Sequence, residues 1–240
     1  MRSIRLGVNI DHVATVRNAR GENYPSPLRA ALLCEKYGAN SVTIHLREDR
    51  RHIRDFDLKV IKKKLKIPLN LEIAPVKHMV KISLKYKPDY VCIVPEKRRE
   101  ITTEGGLNLK RNFKQISKIV KILNKNRIRT SLFINPTIKD VKISKDLNVN
   151  CIELHTGRLS NLIKKKRKFK NELTKIKNSS KYADKIGLEV HAGHGMDYKT
   201  TKILSKINEI KEFNIGHFII GESIFDGLKN VIKKIKKKLK

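Results

Sequence analysis

The 240-residue chain has no tryptophan, few other aromatic residues and only three cysteines. Aromatic residues make up 5% of it, and neither a zinc-finger pattern nor a glycine–aromatic stacking motif is present. Cys34, Cys92 and Cys151 are far apart and odd in number, which favours reduced thiols over a disulfide framework. These absences favour a cytoplasmic protein and argue against a dedicated reader of nucleic-acid sequence.

Long apolar runs are also missing from the sequence. No run approaches the roughly 18 apolar residues that a membrane-spanning helix needs. The opening stretch, MRSIRLGVNIDH, has no long apolar segment or small-residue cleavage site, so we expect no secretory signal. Hydrophobic residues make up 39% of the chain in short, regular runs, and we expect one globular domain over residues 1–240 and no membrane partner.

Acidic residues are strongly outnumbered, because 55 Lys and Arg against 23 Asp and Glu give a formal charge of +32. Stretches such as VIKKKLKI and LKNVIKKIKKKLK alternate lysine with Ile, Leu and Val at the spacing of an amphipathic helix. A basic nucleic-acid-binding protein is one class with this composition. The spacing favours solvated outer helix faces instead, and we expect no specific nucleic-acid partner.

Short apolar runs alternate with helix-patterned segments along the chain. The predicted strands are residues 4–11, 41–46, 68–73, 90–95, 130–135, 151–156, 186–192 and 216–221. The predicted helices are residues 25–37, 54–65, 76–86, 110–126, 137–147, 160–184, 198–210 and 223–239. Eight such pairs indicate parallel βαβ units, and they favour an α/β fold of the closed (β/α)₈ TIM-barrel type. An open doubly wound sheet is the alternative, weakened because no Gly-rich dinucleotide turn follows the first strand.

The predicted strands carry polar residues on one face. In the second strand, Val42 and Ile44 alternate with His45 and Arg47. Other residues on the polar faces are Asn9, Asp11, Asn70, Glu72, Glu153, His155, Glu189 and His191. Because helices cover the outside of a parallel barrel, the apolar face must contact them and the polar face must point inward. Buried polar groups are costly unless they are paired or reach a ligand, so the pattern favours a ligand-binding interior.

The segments after the strands contain groups suited to anions. They lie at the C-terminal end of the predicted barrel, where enzymes of this fold place their sites. HLREDRRHI follows the second strand, PEKRREITTEGG follows the fourth, and HAGHGMD follows the seventh. The arginine fork suits phosphate, and glycines beside His194 let backbone N–H groups approach an anion. His191 and His194 have no third matched ligand, so we expect no metal site, and we interpret His78 and His155 as structural.

Together these motifs resemble the pyridoxine 5′-phosphate synthase family. GVNIDHVATVRNARG, HLREDRRHI, NLEIA, VPEKRREITTEGGL, SLFI, IELHTG, AGHG and NIGHFIIG occur in the family's order over nearly the whole chain. The resemblance implies a barrel with extra helices, no cofactor and a homo-oligomer, commonly an octamer built from dimers. It also implies a transferase-type condensation of 1-deoxy-D-xylulose 5-phosphate with 3-amino-2-oxopropyl phosphate, giving pyridoxine 5′-phosphate, phosphate and water.

The resemblance also implies roles for individual residues. The expected acid–base residues are His45, Glu72 and His194. The expected contacts of the amino-ketone phosphate are Asn9, Arg20, Gly195, Gly216 and His217. The expected contacts of the deoxyxylulose phosphate are Asp11, His12, Arg47, His52 and Thr102. One departure is His191, which stands beside the amino-ketone site where many relatives have Asn.

The expected acid–base residues suit the condensation that the resemblance implies. Joining an amine to a ketone, losing water and phosphate and closing a ring takes repeated proton transfers, which imidazoles and a carboxylate with tuned pKa values can supply. The two substrates form their own Schiff base, so no enzyme lysine is required. An aldolase or epimerase of the same fold would be favoured by an inward-facing lysine, which the predicted strands do not offer.

The interpretation of the +32 charge as solvated helix faces predicts only weak DNA binding. Solvated lysines attract polyanions without recognising a sequence, and salt screens that attraction steeply. We expect titrations with duplexes of different sequence to give similar, weak affinities that decline as salt is added. Nanomolar, sequence-dependent binding at physiological salt would contradict this interpretation.

Overall fold

Eight parallel strands close into a barrel in the computed structural model, which describes residues 4–96 and 105–239. Each strand pairs with the next one along the chain, and the last pairs with the first. The strands are β1 (Arg5–Asn9), β2 (Ser41–His45), β3 (Leu69–Ile73), β4 (Tyr90–Ile93), β5 (Arg129–Ile134), β6 (Cys151–His155), β7 (Glu189–Gly193) and β8 (Ile210–Ile215). The predicted (β/α)₈ barrel is confirmed, and the open sheet is excluded.

The described residues form helices that surround this barrel. They are α1 (Asp11–Arg20), α2 (Pro27–Lys36), α3 (Asp55–Lys64), α4 (Lys77–Tyr86), α5 (Leu109–Lys125), α6 (Ile138–Asp146), α7 (Gly157–Lys164), α8 (Lys170–Lys185), α9 (Tyr198–Leu204), α10 (His217–Asp226) and α11 (Leu228–Lys237). Two helices follow each of β1, β6 and β8, which accounts for the expected extra helices. Among the described residues, none of these helices combines the length and apolarity that crossing a membrane requires.

Several helices begin at a residue that caps them. The side chain of Ser26 accepts a hydrogen bond from the backbone N–H of Arg29, and Pro27 occupies the first helical position of α2. Asp197 accepts from the N–H of Thr200 in the same way at the start of α9. These side chains satisfy N–H groups that the helices leave without an internal partner, and they fix where each helix starts.

The eighth strand was predicted in the wrong place. It is β8, Ile210–Ile215, whereas the predicted strand at 216–221 forms the first half of α10. Glu212 and Asn214 point into the barrel, so the sequence of β8 lacks the apolar run expected of a strand. HFIIG has such a run but packs as a helix in which Ile219 is fully buried. The other seven strands begin and end within three residues of their predicted limits.

Four predictions about helices also need correction. No helix is predicted before residue 25, but Asp11–Arg20 forms α1, which is capped by Gly21 with a φ of 70°. The predicted helix at 160–184 is divided into α7 and α8, with Lys166 at a φ of 53° between them. The segment at 223–239 is likewise divided, because Gly227 has a φ of 73° and separates α10 from α11. The helix predicted at 198–210 ends at Leu204, because the chain must leave the helix before β8 begins at Ile210.

Polar side chains fill the interior of the barrel, as the period-two pattern predicted. Asn214 links two strands, because its Nδ2 donates to Glu153 Oε2 at 2.7 Å and its Oδ1 accepts from Thr43 Oγ1 at 3.4 Å. Asn70 Nδ2 donates to the same Thr43 hydroxyl at 3.3 Å. A Cβ at Gly7 would lie 2.0 Å from Asn214 Oδ1, so only glycine leaves room for this network. The outward faces of the strands pack fully buried Leu, Ile and Val side chains against the helices.

A charged cluster closes the N-terminal end of the barrel. Arg5 bonds to Glu189 and donates through Nε to Glu212 at 2.7 Å, while Arg129 Nη2 lies 2.9 Å from Glu189 Oε1. His191 Nε2 is 2.7 Å from the same Glu189 oxygen. Its hydrogen bond is the largest cause that lowers the pKa of Glu189, ahead of the opposing effect of burial. His191 therefore turns its ring toward this cluster and away from the C-terminal end of the barrel.

Candidate active site

His45 lies at the C-terminal end of β2 between two carboxylates. Its Nδ1 is 3.8 Å from Glu72 Oε2, and its Nε2 is 3.6 Å from Glu96 Oε2. Its backbone N–H donates to Asp11 Oδ1 at 2.8 Å, which ties the start of α1 to this strand. The imidazole is 5% exposed, so water does not compete with these neighbours. A histidine in this position can pass a proton to or from a carboxylate on either side.

Glu72, the carboxyl group beside His45, also faces the mouth of the barrel, which is its open C-terminal end. Strand pairing sets it directly beside His45, and its side chain is 15% exposed. Burial is the largest cause that raises its pKa well above the usual range, and the negative charges of Glu153 and Asp11 raise it further. A carboxyl group whose pKa is raised holds its proton more tightly than an ordinary glutamate, so it can donate a proton as well as accept one.

Glu153 lies one layer deeper in the barrel. Burial raises its pKa to about 7, against the hydrogen bond from Asn214 and the attraction of His191, which lower it. A Cβ at Gly193 would be 2.1 Å from Glu153 Oε1, so the carboxyl group occupies the space beside that glycine. Its partner is an amide and not a cation. Glu153 therefore has a structural role, because it lies below the groups that face the open end of the barrel.

Arg47 and His52 flank His45 in the segment after β2. Arg47 is 2% exposed, and its Nε lies 3.6 Å from Glu96 Oε1. Glu96 also accepts from the N–H of Glu48 at 3.0 Å. Burial acts to raise the pKa of Glu96, but the hydrogen bond and charge of His45, the bond from Glu48 and the charge of Arg47 outweigh it and lower that pKa. The Glu96 carboxylate thus lies between the side chains of His45 and Arg47 and holds them together.

The ring of His52 presents a hydrogen-bond donor. Its Nδ1 accepts from the N–H of Ile53 at 2.9 Å, which assigns the proton of the neutral ring to Nε2. Burial is the largest cause that lowers its pKa. Arg17 fixes the backbone here, since it forms a buried fork with Asp57 at 2.6 and 2.9 Å and donates to the His52 carbonyl at 3.0 Å.

The start of α1 brings Asn9 and Asp11 together. Asn9 Nδ2 donates to Asp11 Oδ2 at 2.9 Å, and its Oδ1 accepts from the Asp11 N–H at 2.9 Å. His12 follows and meets His217 edge to face, with ring centroids 4.9 Å apart. Burial is the main cause that lowers the pKa of His12. A Cβ at Gly216 would be 2.9 Å from Asn9 Cβ, so this glycine lets β1 and the start of α10 approach closely.

His194 adopts a left-handed backbone conformation with a φ of 77°, directly before Gly195 at 74°. Its ring lies 5.0 Å from that of His155, and a Cβ at Gly157 would be 2.7 Å from both rings. Burial lowers the pKa of His194, and the charges of Lys164 and His217 lower it further. Burial also lowers the pKa of His155 to about 4, so both imidazoles are neutral at pH 7.

A cavity of about 250 Å³ opens between the segment after β7 and the start of α10. It is lined by Lys164, Gly195, Met196, Gly216, His217, Phe218, Gly221 and Glu222. Backbone N–H groups at the start of α10 have no side-chain cap, which suits the binding of an anion beside His217. Within the described ranges, no group of three His, Cys, Asp or Glu side chains has an arrangement that could hold a metal ion.

Most of the expected site residues meet at this end of the barrel, with two exceptions. Arg20 lies in the last turn of α1, where its side chain is 79% exposed and its Nη2 is 3.7 Å from Glu22 Oε1. Thr102 lies outside the described residues. The expectations made from the sequence omitted Arg17, Glu96 and Lys164. Arg17 stands three residues before Arg20 in the same motif. If α1 had been recognised as a helix, its period would have predicted that the two side chains point in different directions.

Comparisons with known proteins agree on a family. The sequence model described as pyridoxal phosphate biosynthesis protein PdxJ matches residues 6–240. A pyridoxine 5′-phosphate synthase of Pelagibacter ubique is 63% identical over 228 residues, covering 95% of each chain. One from Zymomonas mobilis is 48% identical over 235 residues, covering 98% of this chain and 91% of its own.

Solved structures share the fold at low sequence identity. A 3-keto-L-gulonate-6-phosphate decarboxylase from Vibrio cholerae superposes with a TM-score of 0.69 at 11% identity, covering 99% of this chain and 97% of its own. A similarity at this identity shows a common barrel and carries no information about the substrate.

The raised pKa of Glu153 predicts how stability changes with pH. The folded carboxyl group has a pKa of about 7 and the ordinary value is 4.5, so the folded state retains a proton that the unfolded chain has released. Stability is therefore lost as pH rises through this window. Glu153→Gln removes the titrating group but keeps an acceptor for Asn214. We expect denaturant unfolding of this variant to show a flatter profile between pH 5 and pH 8.

Glu22→Gln is the control, because the Glu22 side chain is 60% exposed and its removal should leave the wild-type slope intact. A residual slope is expected in Glu153→Gln, since Glu72 has a raised pKa as well. Equal slopes in wild type and Glu153→Gln would show that Glu153 ionises normally inside the barrel.

Proposed function

This chain belongs to the PdxJ family of pyridoxine 5′-phosphate synthases, and we propose that it condenses 1-deoxy-D-xylulose 5-phosphate with 3-amino-2-oxopropyl phosphate. It is an enzyme of pyridoxine biosynthesis built on a TIM barrel. The observation that supports the two substrates is the presence of two separate groups of anion-binding side chains and glycines. One follows β2 and the other follows β7 and β8, and both adjoin a buried set of acid–base residues.

We assign the deoxyxylulose phosphate to the side formed by α1 and the segment after β2. Arg47 offers a planar fork that matches phosphate oxygens, and the His52 Nε2–H adds a neutral donor. Asp11 and His12 at the start of α1 adjoin this side and are suited to the sugar hydroxyl and carbonyl groups. Thr102 belongs to the same proposed set. Glu96 lies beside both Arg47 and His45 on this side of the site.

We assign the amino-ketone phosphate to the cavity between the segment after β7 and α10. Gly195 and Gly216 let the backbone approach the phosphate closely, and His217 lies at the first position of α10. Asn9 borders Gly216 and can bond to the ketone or amine end of this substrate. Arg20 remains a proposed contact of this phosphate from the family resemblance alone, given its exposed position on α1.

The proton transfers require groups that work in both directions. Glu72, whose pKa is raised by burial, can protonate a departing hydroxyl and later accept a proton from carbon. His45 adjoins it at 3.8 Å and can return the proton. His194 is neutral at pH 7, because burial and nearby cations lower its pKa, and it can therefore accept a proton on the amino-ketone side. The Schiff base forms between the two substrates themselves.

The direct test is to incubate the purified protein with both phosphorylated substrates. We expect pyridoxine 5′-phosphate and inorganic phosphate to appear in equal amounts, and neither to appear when one substrate is omitted. Release of phosphate without pyridoxine 5′-phosphate, or no turnover by a correctly folded protein, would contradict the proposal.

Glu72→Gln should abolish most of the turnover while the protein still folds. The amide preserves shape and hydrogen bonding but cannot exchange a proton, and loss of one general base typically slows turnover by ~10²–10⁴-fold. Glu153→Gln is the matched control, because it makes the same chemical change one layer below the mouth. We expect the control to retain most of its kcat, because it leaves the burial of Glu72, the largest cause of its raised pKa, unchanged. Near-normal turnover in Glu72→Gln, together with its loss in a well-folded Glu153→Gln, would show that the base is wrongly assigned.

We propose that the enzyme is a homo-oligomer, with an octamer built from dimers as the family resemblance implies. The exposed apolar residues of α10 support this, since Ile224 is 74% and Phe225 is 85% exposed. Side chains of this size are seldom left in water in adjacent positions unless another surface covers them.

The three cysteines are free and buried, which supports a working location in the cytoplasm.

Phe225→Asp should therefore reduce the mass of the assembly in light scattering, because it places a charge in the covered face. Lys229→Asp on the neighbouring α11 introduces a carboxylate at an exposed lysine and should leave the assembly intact. A monomeric wild-type protein, or a Phe225→Asp variant with the wild-type mass, would contradict this face as an interface.

A further inference from the structure

Lys164 lines the cavity between the segment after β7 and the start of α10. It is the last residue of α7, and its side chain reaches back to donate from Nζ to the Gly195 carbonyl at 3.0 Å. It thereby becomes part of the wall of the cavity that Gly216 and His217 also line. The sequence places it at the start of a lysine-rich run, which by itself predicts only a solvated face.

Among the described residues, the Lys164 ammonium group has a neutral carbonyl as its hydrogen-bond partner. A lysine has three N–H donors, and the bond to the Gly195 carbonyl uses one of them. A carbonyl carries no net charge, so this contact orients the ammonium group without neutralising it. Glu222 also lines the cavity, and its carboxylate disfavours an anion on its own side. An incoming phosphate is therefore best placed between Lys164 and His217.

We propose that Lys164 binds the phosphate group of the amino-ketone substrate, as a further binding residue in the wall of the cavity. This inference rests on the proposed function, since it assigns that substrate to the cavity. The bond from Lys164 to the Gly195 carbonyl also fixes the residue that follows His194 in a left-handed turn, so Lys164 helps to orient the segment that carries the imidazole.

The same lysine acts on His194 through its charge. The groups that face His194 are His155 at the end of β6, Phe133 at the end of β5, His217 at the start of α10 and Lys164 on α7. After burial, the charge of Lys164 is the largest cause that lowers the pKa of His194. A cation there favours the neutral imidazole, which is the form that can accept a proton.

The test compares Lys164→Met and Lys164→Arg with Lys165→Met, using inorganic phosphate as the probe. Lys165 is the next residue along the chain and is also exposed, so the control loses the same charge from the same turn. Phosphate binding is followed by NMR through the imidazole signals of His217, which reports on this cavity, and His52, which reports on the other side. The pKa of His194 is measured in each variant without substrate, so this readout does not depend on activity.

We expect Lys164→Met to weaken phosphate binding at His217 by roughly three- to tenfold, since an exposed charge-assisted contact is lost. The KM for the amino-ketone phosphate should rise by a similar factor, the KM for the deoxyxylulose phosphate should stay within about twofold, and the pKa of His194 should rise. Lys164→Arg should retain most of the affinity, and Lys165→Met should match the wild type in every measurement.

Two failures can be told apart. If phosphate shifts His217 in the wild type and binds equally well to Lys164→Met, the role of Lys164 is overturned while the proposed site stands. If phosphate does not shift His217 in the wild type, the assignment of the amino-ketone phosphate to this cavity is itself wrong, and the inference about Lys164 falls with it.

Discussion

Carboxyl groups inside a closed barrel are the constraint on which this structure depends. Parallel strands covered by helices bury both of their faces, so the inward side chains have little water to solvate them. Each inward carboxyl group must therefore bond to a cation, bond to an amide or hydroxyl, or retain its proton. All three arrangements occur in this barrel, and the arrangement differs from one end of the barrel axis to the other.

At the N-terminal end, Arg5 and Arg129 neutralise Glu189, and Arg5 also bonds to Glu212. In the middle, the direct partner of Glu153 is the amide of Asn214, and burial raises the pKa of Glu153 to about 7. At the mouth, Glu72 lies beside an imidazole and is repelled by two other carboxylates. The cations thus fix one end of the barrel, while the other end is left with groups whose protons can move.

The strand pattern predicted this interior well, because a period of two in β2, β3 and β6 separates polar from apolar faces without any knowledge of the fold. It failed at β8, where Glu212 and Asn214 interrupt the apolar run and HFIIG presents a better one in the following helix. The roles of Glu96 and Lys164 were beyond prediction from the sequence. Glu96 lies in the irregular segment after β4, and Lys164 reaches the Gly195 carbonyl from the end of α7, so both contacts depend on tertiary structure that sequence periodicity does not predict.

The most direct test of this account is to measure the ionisation of the Glu72 side chain in the substrate-free enzyme, using ¹³C NMR of its labelled carboxyl carbon across a pH titration. The account predicts that this carboxyl group titrates well above the usual range of a glutamate, and that its midpoint falls when Glu153 is replaced by Gln. A midpoint near the ordinary value of 4.5, unaffected by that replacement, would contradict the claim that burial and charge repulsion create the proton-transferring group at the mouth.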